Sequence, residues 1–224
     1  PHQPHEDLRL GVDYKPWQPE THFAFAENGG SFAAATLRCV GVGACRKRDA
    51  GAMCPSFMAT GEELYSTRGR AHLLWELMQG EVLPDKWKNE QVRESLDLCL
   101  SCKACKSECP TSVDMATYKA EFLSHYYEGS TRPLFHYAFG RIDRWAQLAS
   151  LAPGLVNAVN NAPLVRNLIK STLHIHGKRT MPRFARAFTR ERHRPQTAAG
   201  KEVFLWADTF NNYFHPSTMR AAHS

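Results

Sequence analysis

Apolar side chains recur every three or four residues through much of the chain, which is the spacing of one face of a helix. In the first part of the chain this pattern predicts helices that end near Gly80, cover residues 89–98, and run from Ser112 or Asp114 towards Gly129. Residues 133–190 continue with shorter helices, separated by prolines and glycines. The fold is therefore predicted to be mainly α.

Two further patterns concern the ends of elements. Thr60-Gly-Glu-Glu63 fits a capping box, which predicts a helix that begins after Thr60. Residues 202–207 are a short apolar run of strand type, and residues 208–216 resemble a loop that leads into a helix at Ser217. This is the pattern of the first step of an α/β domain. Because the chain starts at Pro1 and stops soon after that step, we expect a piece of a longer polypeptide in which this domain is truncated.

Composition places the chain among ordinary globular proteins. Hydrophobic residues make up 43% of the 224 positions, charged residues make up 22%, and the mean hydropathy is −0.45. No apolar run approaches the ~20 residues that a transmembrane helix needs, and no secretory signal is present. We expect a cytoplasmic protein with at most peripheral contact at the inner face of the membrane.

Charge is distributed unevenly along a chain whose formal net charge is +6. Residues 1–131 carry 14 basic and 18 acidic side chains, whereas residues 132–194 carry 12 basic and 2 acidic ones. Pattern and charge together predict four segments, namely an extended arm over 1–22, a cysteine-rich helical domain over 23–131, a basic helical segment over 132–194 and the truncated α/β domain over 195–224. We expect the basic segment to dock on acidic surfaces of neighbouring domains.

Seven cysteines lie within 71 residues, and none lies elsewhere. They are Cys39, Cys45, Cys54, Cys99, Cys102, Cys105 and Cys109. Their odd number, their three-residue spacings and the absence of a signal peptide argue against a disulfide framework. We therefore expect these thiols to bind metal.

The second group of cysteines is the more specific signal. Residues 99–110 follow the run C-x2-C-x2-C-x3-C-P, which is the ligand spacing of bacterial ferredoxins. One tight loop with this spacing can wrap an iron–sulfur cluster, and in two-cluster ferredoxins the fourth cysteine binds the other cluster. Zinc sites favour two separate C-x2-C pairs. The motif therefore predicts a 4Fe–4S cluster.

The first group follows the same frame with one replacement. Cys39 and Cys45 occupy the outer positions, Val42 stands at the middle position, and Cys54-Pro55 supplies the final element after a longer gap. If the two motifs exchange their last cysteines, two ligand sets result. The set for a 4Fe–4S cluster is Cys54, Cys99, Cys102 and Cys105, and the set for a second cluster is Cys39, Cys45 and Cys109.

The second ligand set is compatible with two cluster compositions. Three thiolates and a valine suit a 3Fe–4S cluster, and a 4Fe–4S cluster with a non-cysteine fourth ligand is the other possibility. A chain with a single cluster is a further alternative. In that case the spacing does not decide whether Cys54 or Cys109 completes the main cluster.

No pattern of catalytic side chains accompanies the cysteines, because the chain has no phosphate loop, nucleophile elbow or telling pair of carboxylates. An alternative of another class is a structural zinc module whose arginine-rich residues 179–194 bind nucleic acid. Few aromatic residues accompany those arginines, and the cysteine frame differs from the usual zinc folds. We therefore expect no nucleic-acid partner.

Several motifs resemble one known family. They are Phe23-Ala-Phe25 with Gly29-Gly30, the glycine-rich stretch 38–47, Met53-Cys54-Pro55-Ser56-Phe57-Met58-Ala59-Thr60, Ser66-Thr67-Arg68-Gly69-Arg70 and Ala207-Asp-Thr-Phe-Asn-Asn-Tyr-Phe214. Together they resemble the large bacterial FAD-linked oxidases with ferredoxin domains, such as D-2-hydroxyglutarate and D-lactate dehydrogenases. The second cysteine motif is also similar to the iron–sulfur subunits of glycolate oxidase and anaerobic glycerol-3-phosphate dehydrogenase. Val42 resembles the valine in the 3Fe–4S motif of the fumarate reductase iron–sulfur subunit.

This resemblance implies an α-helical ferredoxin domain, followed by a helical segment and the start of a cysteine-rich (CCG-type) α/β domain. It implies that an FAD domain of the same polypeptide oxidises a D-2-hydroxy acid. The clusters would pass electrons from reduced FAD to a quinone or a carrier protein. The alternative is a free-standing iron–sulfur subunit that reduces quinone at a membrane.

Overall fold

The computed structural model describes residues 10–11, 14–191 and 203–224. Half of the predicted arm, the polar connection at 194–200 and the first residue of the predicted strand lie outside the described residues. The described helices are α1 Phe32–Thr36, α2 Pro55–Thr60, α3 Thr67–Gln79, α4 Glu90–Asp97, α5 Ala104–Glu108, α6 Met115–Tyr126, α7 Leu134–Gly140, α8 Ile142–Ala149, α9 Pro153–Asn161, α10 Pro163–Thr172, α11 Thr209–Tyr213 and α12 Pro216–His223.

The expectation of a mainly α fold is confirmed, because the described residues form helices and turns and no strand. Two compact units divide the chain, one over Pro1–Ser130 and the other over Thr131–Ser224. None of the helices in the described ranges is long and apolar enough to cross a membrane. All seven cysteines belong to the first unit.

The core of the first unit is formed by α3, α4 and α6. Leu74 and Leu77 on α3, Leu96 on α4 and Phe122 on α6 have no exposed surface. Burying a side chain of this size contributes about 1.5–3 kcal/mol. The three helices that the apolar pattern predicts in this region are thus present, and they share one core.

Side chains at the first turns set where these helices begin. Asn89 accepts the N–H of Val92, and Asp114 accepts the N–H of Thr117. The predicted capping box at Thr60 is wrong, since Thr60 is the last residue of α2 and Gly61 follows it with φ of 74°. The left-handed conformation ends the helix there. Ser66 is the N-cap of α3, and its hydroxyl accepts the N–H of Gly69 at 2.8 Å.

The described end of the predicted arm lies against the first unit without forming helix or strand. The N–H of Trp17 donates to the carbonyl of Met78 at 2.8 Å, and the Trp17 ring lies 5.1 Å from that of Trp87. The backbone N–H groups of His22 and Phe23 both donate to the carboxylate of Glu121. These contacts anchor the chain just before the first cysteine motif.

The second unit combines the predicted basic segment with the C-terminal residues. The Asn157 side chain of α9 binds both backbone groups of Phe184, at 2.8 and 2.9 Å. Residues 203–208, which carry most of the predicted strand, are neither helix nor strand. A helix begins at Thr209, inside the predicted loop, because the Asp208 carboxylate accepts two N–H groups of its first turn.

Candidate iron–sulfur centres

Four cysteines surround one cavity of the first unit, called here the first cavity. Cys54 lies at the N-cap of α2, Cys99 follows α4, Cys102 precedes α5, and Cys105 lies within α5. The other lining residues include the apolar side chains of Met53, Pro55, Leu100, Ala104, Met115 and Ala116.

The remaining three cysteines line a separate cavity, called here the second cavity. Cys39, Cys45 and Cys109 surround this cavity, and Val42 lies on its wall. Gly41 and Gly43 flank the valine, and both have φ of 79°. A side chain at either glycine would be strained in this conformation. The glycines therefore let the short loop from Cys39 to Cys45 turn around the cavity.

The two cavities sort the cysteines across the sequence motifs. Cys54 lies with the three cysteines of the second motif, whereas Cys109 lies with the two outer cysteines of the first motif. Each of these two cysteines is followed by proline, which has no backbone N–H and fixes φ. Pro55 starts α2, so the chain turns away from the first cavity into a helix.

Arg70 is the most buried charged contact of the first cavity. Its guanidinium donates to the Cys54 sulfur at 3.3 Å and to the Ser56 hydroxyl at 2.9 Å. Burial alone would raise the pKa of the Cys54 thiol, but the hydrogen bond with Ser56 and the charge of Arg70 outweigh it and lower that pKa. The site favours a thiolate at Cys54, which is the form that binds metal.

The second cavity has a similar arrangement around Cys109. Burial opposes ionisation there as well, but the Thr111 hydroxyl, 3.3 Å from the sulfur, and nearby backbone N–H groups lower the pKa of the Cys109 thiol. Burial raises the pKa of Cys39, Cys45 and Cys105. The backbone N–H of Arg68 donates to the Cys45 sulfur at 3.3 Å.

Backbone conformation around the second motif is unusual. Ser101 has φ of 53° and Lys103 has φ of 60°, in a left-handed region that side-chain-bearing residues seldom adopt. The two residues flank Cys102, and all three line the first cavity. The left-handed residues on either side of Cys102 turn the loop between Cys99 and Cys105 around the cavity.

Long-range contacts that the sequence pattern does not indicate hold these loops in place. The Glu108 carboxylate accepts the N–H groups of Ala52 and Met53, just before Cys54. Lys119 on α6 donates to the carbonyl of Cys99 at 2.7 Å. Glu108 occupies a spacer position of the second cysteine motif, where any residue fits the pattern, and Lys119 lies outside both motifs. Because their partners are distant in sequence, the motifs indicate neither contact.

A third cluster of polar groups lies apart from both cavities. The ring nitrogens of His22 and His125 and a carboxylate oxygen of Glu121 lie within 4.8 Å of one another. Glu121 is fully buried, and its oxygens already accept the N–H groups of His22 and Phe23 and contact His125 at 2.8 Å. This arrangement is a hydrogen-bonded clamp on α6.

The donor atoms of the two cavities fit iron–sulfur clusters. Each cavity presents cysteine sulfur as its ligand type, and neither is lined by histidine. Soft thiolates in an apolar surrounding are the usual ligands of iron–sulfur clusters. When bound, such clusters supply one-electron transfer, and the chain supplies the ligands and the hydrogen bonds to sulfur.

Comparison with known proteins agrees with this geometry. Residues 35–113, which contain all seven cysteines, match the family of 4Fe–4S dicluster domains. The iron–sulfur region recognised from the cysteine motifs is thereby confirmed.

The relatives that this chain matches are longer proteins. The chain is 28% identical to D-2-hydroxyglutarate dehydrogenase of Pseudomonas putida, over 96% of this chain and 24% of that protein. It is 29% identical to D-2-hydroxyglutarate dehydrogenase of Escherichia coli, over 59% of this chain and 16% of that protein. The glycolate oxidase iron–sulfur subunit of Escherichia coli is 35% identical over 34% of this chain and 16% of that protein. The chain thus spans about a quarter or less of these relatives, and no solved structure matches it.

Proposed function

We propose that the dicluster domain is a two-cluster electron-transfer module. Cys54, Cys99, Cys102 and Cys105 hold a 4Fe–4S cluster in the first cavity. A second set, Cys39, Cys45 and Cys109, holds another cluster in the second cavity. The observation that carries the proposal is the division of the seven thiols between two cavities, with the last cysteine of each motif at the other motif's cavity.

The second cluster is proposed to be of the 3Fe–4S type. Val42 stands on the wall of the second cavity where a regular motif has its middle cysteine, so one corner lacks a thiolate. An iron without a protein ligand is the one most easily lost from a cubane. A 4Fe–4S cluster with a non-cysteine fourth ligand is the competing composition.

The whole protein is proposed to be a flavin-dependent D-2-hydroxyacid dehydrogenase. Support comes from the Pseudomonas putida relative, which matches 96% of this chain and is named a D-2-hydroxyglutarate dehydrogenase. In this proposal an FAD domain and a CCG-type domain belong to the same polypeptide, and a quinone or carrier protein accepts the electrons. The second candidate is a free-standing iron–sulfur subunit, which the similarity to glycolate oxidase subunits favours.

Anaerobic purification with iron, sulfide and zinc assays tests the two-cluster proposal. A 4Fe–4S and a 3Fe–4S cluster together contain about seven irons and about eight sulfides per chain. The Cys102→Ser variant should retain the second cluster with about three irons, and the Cys45→Ser variant should retain the first with about four. EPR spectra of the two variants should each keep one of the wild-type signals.

Four results would contradict the proposal. A colourless protein with zinc would exclude iron–sulfur chemistry. Loss of one and the same EPR signal in both variants would exclude the division of ligands. About four irons in the wild type would reduce the chain to one cluster. Salt-dependent DNA binding by an iron-free protein would favour the nucleic-acid alternative.

A further inference from the structure

Arg70 lies in the first turns of α3 with no exposed surface. Its guanidinium donates hydrogen bonds to three groups of the first unit. Its Nε donates to the carbonyl of Ser95 at 2.6 Å, Nη1 donates to the Cys54 sulfur at 3.3 Å, and Nη2 donates to the Ser56 hydroxyl at 2.9 Å. Three bonds in different directions hold the guanidinium in one position at the wall of the first cavity.

The charge of Arg70 has no carboxylate partner in the described part of the chain, since none of the ion pairs there includes it. A buried unpaired cation is costly, and buried charges are ordinarily paired or bound to metal sites. The other arginine near the cysteines differs in this respect. Arg68 pairs with Glu63 at 2.7 Å, and part of its side chain is exposed. Lys103, which also lines the first cavity, is more than half exposed and pairs with Asp114.

Resting on the proposed function, we propose that Arg70 is a fixed positive charge that raises the reduction potential of the cluster in the first cavity. The anion that balances Arg70 is then the Cys54 thiolate together with the cluster it ligates. Reduction adds one electron to that cluster without breaking a bond, so the negative charge beside Arg70 increases. A cation held at hydrogen-bond distance stabilises the reduced form more than the oxidised form.

The surroundings make this effect selective and strong. Water does not screen a guanidinium with no exposed surface, and charge interactions are larger in a protein interior than in water. Net charge and hydrogen bonds to the sulfurs are known determinants of cluster potential. Arg70 contacts Cys54 and no cysteine of the second cavity, so the second cluster should feel it less.

Redox titration of the full chain, followed by EPR with iron and sulfide assays, tests the inference. Arg70→Gln removes the charge and keeps a polar side chain. We expect the reduction equilibrium of the first cluster to become on the order of tenfold less favourable, which lowers its potential by about 59 mV. The second cluster should shift much less. Arg93→Gln is the matched control, because Arg93 pairs with Glu90 on α4 and lines neither cavity.

Two further measurements decide the question if Arg70→Gln does not fold. Arg70→Lys retains the charge and should keep the potential near that of the wild type. In the wild type, the potential should also change little from about 0.1 M to about 1 M salt, although the Debye length falls from about 10 Å to about 3 Å. A large fall in potential with salt would assign the effect to exposed lysines and overturn the inference. A loss of potential on the order of 59 mV in Arg70→Lys, which keeps the charge, would overturn it as well.

The outcomes separate this inference from the proposed function. If the wild type binds two clusters and Arg70→Gln leaves both potentials unchanged, the inference is wrong and the two-cluster module stands. If both clusters shift equally, the effect is structural and the inference is also wrong. If the wild type binds no iron, the proposed function itself fails.

Discussion

The Glu108 carboxylate accepts the backbone N–H of Met53 at 3.0 Å. Glu108 is the last residue of α5 and precedes Cys109, whereas Met53 precedes Cys54. The contact therefore joins the two chain positions that lead into Cys54 and Cys109, the cysteines proposed to be exchanged between the two motifs. The N–H of Ala52 donates to the same carboxylate at 2.8 Å and strengthens the connection.

Glu108→Gln should weaken this connection and loosen both cavities. The amide is neutral and has one acceptor oxygen in place of two, so both backbone N–H groups of Ala52 and Met53 lose their charged acceptor. We expect iron to be lost to a chelator several times faster than from the wild type, with both EPR signals declining. The measurement is the rate of bleaching of the cluster absorbance under anaerobic conditions.

Glu94→Gln on α4 is the matched control for this change. Glu94 is exposed, and its substitution removes the same charge. Its bleaching rate should equal that of the wild type. Equal rates for the wild type and Glu108→Gln would show that the two N–H contacts do not hold the ligand loops.

Val42→Cys should supply the missing thiolate of the second cavity. Val42 lies on the cavity wall, and 65% of its surface is exposed, so the smaller cysteine enters without overpacking. We expect one further iron per chain and conversion of the 3Fe–4S signal into that of a 4Fe–4S cluster. Val82→Cys, at a similarly exposed valine that lines neither cavity, is the control and should leave the iron content unchanged. If neither variant gains iron, the second cluster is not of the 3Fe–4S type.

Glu121→Gln should destabilise the first unit. Its buried carboxylate accepts the N–H groups of His22 and Phe23, and an amide NH2 placed against either donor would leave a buried group unsatisfied. Hydrogen bonds to charged groups contribute about 1.5–3 kcal/mol each, so we expect a loss of about 2 kcal/mol in the free energy of unfolding. Urea denaturation measures it, and Glu94→Gln again provides the control. A change below about 0.5 kcal/mol would mean that the clamp does not anchor the chain.

Asp114 should stabilise α6 through its oxygen atoms. Its carboxylate accepts the N–H of Thr117 and contacts Lys103, which together lower its pKa although burial opposes this. Asp114→Ala should cost about 1 kcal/mol, whereas Asp114→Asn should cost much less because asparagine is an equally good N-cap. Denaturation of both variants measures the difference. Equal losses would assign the effect to the ion pair with Lys103 instead of the cap.

Much of the site could be predicted because cysteine spacing is a local property. The x2 spacing of Cys99, Cys102 and Cys105 brings three thiols to one loop whatever surrounds it, and the apolar period of α3, α4 and α6 indicates helices by itself. The start of α3 was harder to predict. Thr60 and Ser66 are both good N-cap residues, and the left-handed Gly61 that excludes Thr60 is a property of the folded backbone.

The spacing of cysteines and apolar residues along the sequence was enough to establish a helical iron–sulfur region and to name its seven candidate ligands. Only the folded chain decided the surroundings of those ligands, such as the guanidinium of Arg70 against Cys54 and the carboxylate of Glu108 against Met53. The reason is physical. Spacing between neighbours follows from backbone geometry, whereas a contact between residues 16 or 55 positions apart exists only after helices have packed and excluded water.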